Sequence, residues 1–393
     1  MALLRTAFVI LALAVPASAW AQPGPASAEP EVFEVPIEGL AGLEAFHRAL
    51  AALRADPSRQ VRVLHYGDSN VAADLYTQVA RERLQAEFGN GGSGYLLPRG
   101  HGSWHRVPAE VVASGPWGSR RRAFTGDTGP SDGLWGLAGT AMEPTGPGAQ
   151  LVVRVPVTRS PRVVEVHLLG RPHPGGALAI RVDGGPEERV STHRATPGLI
   201  VRRYPLSAGV EHRVRIRHIG GRPRVLGVAV DAPRGIVYDV LGINGARASG
   251  VNHWNLSLWR EQMRVRRPDL VVMSYGGNEA LDPNLSMQAY ETSTREAIQR
   301  VRTLAPQASC LLVGPVASMP RYAERMNRVA VIQRRLAADF GCAFWDAAQT
   351  AGGPGTLRRW LRFPGMVGGD RLHLGPEGYG HVGRAFVDAL LAR

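Results

Sequence analysis

The rhythm of apolar residues changes twice along this chain, and that change constrains the fold more than any other feature. Leu40, Leu43, Phe46, Leu50 and Leu53 recur at three- and four-residue spacing, which predicts an amphipathic helix ended by Pro57-Ser58. Val61 to Tyr66 reads as a strand, and Leu75, Val79, Ala80, Leu84 and Phe88 as a second helix. "GNGGSGYLLPRGHG" then reads as a glycine-rich loop. From about Trp104 to Arg234 the helical period is lost. Short alternating runs replace it: "QLVVRVPV", "RVVEVHLL", "ALAIRVD", "EHRVRIRHI" and "RVLGVAV". Such runs between Gly/Pro turns predict a β-sandwich.

From Ile236 strands and helices alternate again. "IVYDVLG", "DLVVMSYGG", "CLLVGP" and "CAFWDA" read as buried strands. Helices are expected through Tyr290–Leu304, around Val329–Phe340, and through Tyr379, Val382, Phe386 and Leu390, the last capped by Gly375 with Pro376 in its first turn. Alternation of this kind predicts an α/β fold: a doubly wound parallel sheet with helices on both faces. The all-β sandwich would be inserted into it.

The expected divisions are 1–21 signal peptide, 22–31 linker, 32–104 first part of the α/β core, 105–235 inserted sandwich, and 236–393 second part of the core. The opening residues pair Arg5 with a short apolar run from Ala7 to Val15 and then offer Ala17-Ser18-Ala19 and Ala19-Trp20-Ala21, both small-x-small cleavage patterns. The run is too short to span a bilayer comfortably. The expectation is therefore an exported chain, periplasmic or secreted, with no membrane span after cleavage. Export would permit a disulfide between Cys310 and Cys342, although two buried thiols fit equally well.

The formal charge is +13, and every basic residue behind it is arginine. Residues 151–235 hold fifteen Arg against six Asp and Glu, so nine of those thirteen charges lie there. In "HRVRIRH", Val214 and Ile216 should face one way and Arg213, Arg215 and Arg217 the other. Such a stripe is either a solvated face or a docking surface for an anionic polymer. Nucleic acid is the least expected partner for an exported chain.

Four polar clusters fall where ligands of a doubly wound sheet bind, at strand ends and the start of the last helix. They are Gly67-Asp68-Ser69-Asn70, Asn244-Gly245, Gly277-Asn278, and Asp370-Arg371-Leu372-His373. A serine nucleophile needs a base, a carboxylate to orient it and donors for an oxyanion. Asp370 and His373 can lie side by side in a turn. The N–H of Ser69, the N–H of Gly245 and the amide of Asn278 can point at one oxygen. No metal or organic cofactor is required. His101 and His105 find no third ligand at a sensible spacing, His65 reads as a core histidine, and Glu279 as a helix cap. Trp104, Trp117, Trp135 and Trp254 either fill the core or stack on sugars.

In order and context these blocks resemble the SGNH/GDSL hydrolase family: "GDSN" with Ser69, Gly245, "GGNE" with Asn278, and "DRLH" with Asp370 and His373. The resemblance spans roughly residues 40–100 and 236–393. It implies a flavodoxin-like three-layer core in which Ser69, His373 and Asp370 are catalytic and Ser69, Gly245 and Asn278 form the oxyanion hole. "LGINGA", "SYGGNEA" and the insert further resemble bacterial peptidoglycan O-acetylesterases, whose insert is similar to a carbohydrate-binding module. The function so implied is an exported serine esterase that removes O-acetyl groups from cell-wall glycan, peptidoglycan first among them, through an acetyl-enzyme. Alternatives are a polysaccharide O-acetyltransferase, a lipase or thioesterase of the same superfamily, and a non-catalytic glycan-binding protein. Two positions depart from relatives: Asn70 stands where many have His, and Glu279 where other branches have Asp.

Overall fold

The computed structural model describes residues 29–97, 104–121 and 132–392. The expected signal peptide lies outside them, as does His101. The first core segment supplies α1 (Glu44–Ala55), β1 (Gln60–Gly67), α2 (Ser69–Ala72) and α3 (Tyr76–Phe88). Eleven strands follow: β2 (Gly92–Leu96), β3 (Glu110–Ser114), β4 (Trp117–Arg121), β5 (Thr140–Pro144), β6 (Gln150–Val155), β7 (Arg162–Gly170), β8 (Gly176–Val182), β9 (Glu187–Ser191), β10 (Gly198–Leu206), β11 (His212–Gly221) and β12 (Arg224–Asp231). The second core segment runs β13 (Gly235–Gly242), α4 (Leu256–Arg266), β14 (Leu270–Ser274), α5 (Gly277–Leu281), α6 (Met287–Leu304), β15 (Ser309–Val313), α7 (Ala323–Asp339), β16 (Ala343–Trp345), α8 (Leu357–Trp360) and α9 (Pro376–Leu391).

Five of these strands form a wholly parallel sheet in the order β13-β1-β14-β15-β16. Both faces are covered, because alternate side chains of each strand enter different cores. Val61 and Val63 pack with α1, α3 and α9 residues such as Phe46, Leu84 and Phe386. Leu64 and Tyr66 pack on the other face with Trp259, Ile298 and Leu336. This is the expected three-layer α/β fold. Cys310 and Cys342, at the starts of neighbouring strands, form a disulfide.

The insert is a sandwich of two antiparallel sheets, β10-β7-β12-β5-β4 and β3-β6-β11-β8-β9. Their inner faces meet through Val153, Val166, Ile180, Val214, Ile216 and Val228. As the alternation predicts, Val214 and Ile216 are buried while Arg213, Arg215 and Arg217 are exposed.

The glycine-rich "loop" is corrected by the structure. Its residues 92–96 are β2, which pairs with β12 of the sandwich. Strand pairing of the insert thus begins earlier than residue 105. Helical and alternating patterns both fail to reveal β2 because glycine replaces the side chains that would carry the signal. A Cβ on Gly94 would meet Asp239 Oδ1 at 2.7 Å and Tyr238 O at 2.9 Å, so the close approach requires glycine.

Glu31–Arg393 makes one compact unit. A buried ion cluster joins sandwich to core. Arg266 at the end of α4 is 1% exposed. Its guanidinium donates to Asp239 Oδ1 and Oδ2 of β13 at 2.7 and 2.9 Å and to Asp231 Oδ2 of β12 at 2.7 Å. Glu165 of β7 lies 3.5 Å away, and Arg62 of β1 donates to Asp231 at 3.0 Å.

Candidate active site

Register brings three of the four clusters together. Gly67, the last residue of β1, stands opposite Gly242 of β13 and Ser274 of β14. The loops that leave these strands therefore start side by side. Gly242 lets α2 sit directly against the strand end: a Cβ there would meet Ala72 N at 2.2 Å.

Ser69 opens α2, and Asp68 caps it by accepting from the Asn70 N–H at 2.9 Å. Asn70 also donates through Nδ2 to Asp68 at 2.9 Å and accepts from the Tyr379 hydroxyl at 2.6 Å. Asn70 thus ties the serine turn to α9. That helix follows immediately after the His373 turn.

The Ser69 hydroxyl lies 2.7 Å from His373 Nε2, and His373 Nδ1 lies 2.6 Å from Asp370 Oδ2. Asp370 Oδ1 accepts the N–H groups of Leu372 and His373 at 2.9 and 3.0 Å. Partial burial alone would raise the Asp370 carboxyl. The hydrogen bonds from the His373 ring and from the two N–H groups outweigh it and hold the group down to about 2. An ionised Asp370 can only accept, so the proton of neutral His373 belongs on Nδ1 and Nε2 is free to accept from Ser69.

The other two clusters are stitched to each other. Asn278 Nδ2 donates to Ala246 O at 2.9 Å, which leaves one amide hydrogen unspent. Glu279 accepts from Ala248 N at 2.9 Å and from Gly276 N at 3.1 Å. It is a structural clamp on both loops, and burial pushes its carboxyl up to about 7. Arg247 adds an ion pair to Asp282 at 2.9 Å. The Arg247–Asp282 link is not legible in the sequence: both are common surface types, and only the folded loops bring them together.

All five expected site residues, Ser69, Gly245, Asn278, Asp370 and His373, meet in one region. Ser69, Gly245, Asn278 and His373 line a cleft of about 430 Å³, with Leu75, Trp104, Val316 and Leu374 among its walls. Asp370 stands behind His373. The set has the geometry for proton transfer from a serine hydroxyl to an imidazole held by a carboxylate.

The remaining candidates sort by burial. His65 is fully buried between the Tyr238 hydroxyl and Ser274 Oγ, each at 2.6 Å. His105 Nε2 accepts from Leu97 N at 3.2 Å. Trp135 and Trp254 are core residues, whereas Trp104 is 53% exposed on the cleft wall.

Residues 208–381 match the model of the GDSL-like lipase/acylhydrolase family. Ser69 precedes that stretch. A search of curated protein sequences finds no match. Among solved structures, a peptidoglycan O-acetylesterase superposes with a TM-score of 0.72 at 24% identity, over 89% of this chain and 96% of that one. A family two carbohydrate esterase from Cellvibrio japonicus covers 71% of this chain and 96% of its own, but at 10% identity and a TM-score of only 0.30.

Proposed function

Taking the chain as a GDSL/SGNH-type ester hydrolase, we propose that it removes O-acetyl groups from cell-wall glycan, peptidoglycan first among them. The observation that carries the chemistry is the continuous hydrogen-bonded line from Ser69 through His373 to Asp370 at the wall of an open cleft. Ser69 Oγ attacks the acetyl carbonyl while His373 Nε2 takes its proton. The tetrahedral oxyanion is held by the N–H groups of Ser69 and Gly245 and by the free amide hydrogen of Asn278. Collapse breaks the ester bond. His373 returns the proton to the departing sugar oxygen and leaves an acetyl-serine. A water then gives its proton to His373 as it attacks. Acetate leaves, and Ser69 regains its proton. Asp370 stays ionised throughout and stabilises the imidazolium.

The glycan substrate is supported by the likeness of the whole fold, sandwich included, to a peptidoglycan O-acetylesterase. Export to the periplasm or beyond is supported by the leader-like opening sequence and by the Cys310–Cys342 disulfide, a bond of oxidising compartments. Among the described residues no helix is long and apolar enough to cross a membrane.

Acetate release from O-acetylated peptidoglycan, xylan and alginate tests this reading. Release from peptidoglycan into water, without an added sugar acceptor, is the expected result. Release only from another polymer would move the substrate, and turnover only with an acceptor would make the protein a transferase.

A further inference from the structure

Trp104 lines two cavities. One is the catalytic cleft. The other, also about 430 Å³, runs along the sandwich and is walled by Leu97, Pro108, Glu110 and Val112. Both volumes fall within the roughly 300–1,000 Å³ of ordinary ligand sites. β3, which contributes Glu110 and Val112, is an edge strand of its sheet.

The Trp104 backbone is fastened to the serine-bearing segment. Trp104 N donates to Ala72 O at 2.7 Å, in the same short helix that Ser69 opens. Arg106 N donates to Asp74 Oδ2 at 2.5 Å, and Arg106 Nε to Ala73 O at 3.1 Å. Asp74 is itself fixed by Arg81 in a buried ion pair at 2.9 Å. A large indole on so well-anchored a backbone could have been packed away, as Trp135 and Trp254 are. Instead it stands 53% exposed between the two cavities.

We propose that the cavity beside β3 is a second glycan subsite, continuous with the catalytic cleft, and that Trp104 is the stacking platform between them. This rests on the glycan reading above. A pyranose offers a face of C–H groups, and an indole offers a wide, electron-rich face at low entropic cost. A sugar chain whose acetylated unit sits at Ser69 would continue over Trp104 toward β3. Chain length, and not the acetyl group alone, would then set recognition.

The test uses Ser69→Ala protein titrated with unacetylated β-1,4-linked N-acetylglucosamine oligomers, read by calorimetry and tryptophan fluorescence. Affinity should rise from disaccharide to tetrasaccharide. Adding Trp104→Ala should weaken tetrasaccharide binding by about tenfold or more, as loss of a central aromatic anchor does. Trp104→Phe should restore most of it. In the active protein, Trp104→Ala should raise KM for O-acetylated glycan more than it lowers kcat. Length-independent binding, or equal tetrasaccharide affinity with and without the indole at unchanged Tm, overturns the subsite. If Trp104-dependent binding persists but wild-type protein releases no acetate from peptidoglycan, the subsite stands and the peptidoglycan reading falls.

Discussion

Ser69 and His373 are 304 positions apart in the chain, yet the serine hydroxyl lies 2.7 Å from the imidazole Nε2. The contact depends on β1 ending where it does and on the turn before α9 folding back over that end. Ser69→Ala should abolish turnover of an aryl acetate with the circular-dichroism spectrum and Tm preserved. Asn278→Ala removes one oxyanion donor and should cost roughly 10²–10³ in kcat. Near wild-type rates in a folded Ser69→Ala protein would refute the mechanism.

The cleft is open, and its apolar wall is made of separate residues, Leu75, Val316 and Leu374, from distant parts of the chain. Acetyl esters should therefore be hydrolysed with higher kcat/KM than octanoyl esters. A series of 4-nitrophenyl esters of increasing length measures this. A rise with chain length would point to a lipase.

Arg213 stands directly opposite Arg154, and Arg215 opposite Arg181. Like charges facing across strands are mildly destabilising. Glu211 and Glu187 offset part of this through contacts with Arg213 and Arg217. Replacing Arg213, Arg215 and Arg217 with Ser should leave Tm equal or higher while weakening co-sedimentation with insoluble peptidoglycan. The weakening should shrink as salt rises. Unaltered sedimentation across the salt series would mark the stripe as a solvated face.

Burial pushes the His65 imidazole down to about 3, whereas an unfolded histidine titrates near 6.5. Between those values the unfolded chain binds a proton that the folded one refuses. Stability should therefore fall as pH drops from about 6.5 toward 3, by at most about 1.4 kcal/mol per unit from this residue. Urea melts of wild type and His65→Gln at pH 7 and pH 5 check the sign. The variant should be the less stable at pH 7, and the gap should narrow at pH 5.

The site was legible in the sequence because its residues sit in short motifs at strand ends, where position along the chain and position in the fold coincide. Ser69 and Asn278 follow apolar strands, and His373 precedes a helix with a readable Pro376 start. What was hidden depends on distant partners. Nothing local separates exposed Trp104 from buried Trp254, since burial is decided by what packs against each ring. The pairing of Cys310 with Cys342 is hidden for the same reason: it requires the register of neighbouring strands. α4 is illegible because its buried positions include Gln262 and Arg266, polar residues that blur the apolar period.

Arg266 also bears on how such an architecture can be divided. Its two aspartates come from different layers, Asp231 from the sandwich and Asp239 from the parallel sheet. Excising the sandwich would remove Asp231 and Glu165 and leave Arg62, Asp239 and Arg266 facing a new surface with their charges unbalanced. The insert is therefore no detachable cassette. A core that lost it in the course of descent would have to shed or re-pair the charges at positions 62, 239 and 266 as well, and a sandwich transplanted alone would carry Asp231, cut off from Arg62 and Arg266, as the scar of its origin, while Glu165 would keep Arg203 and His167.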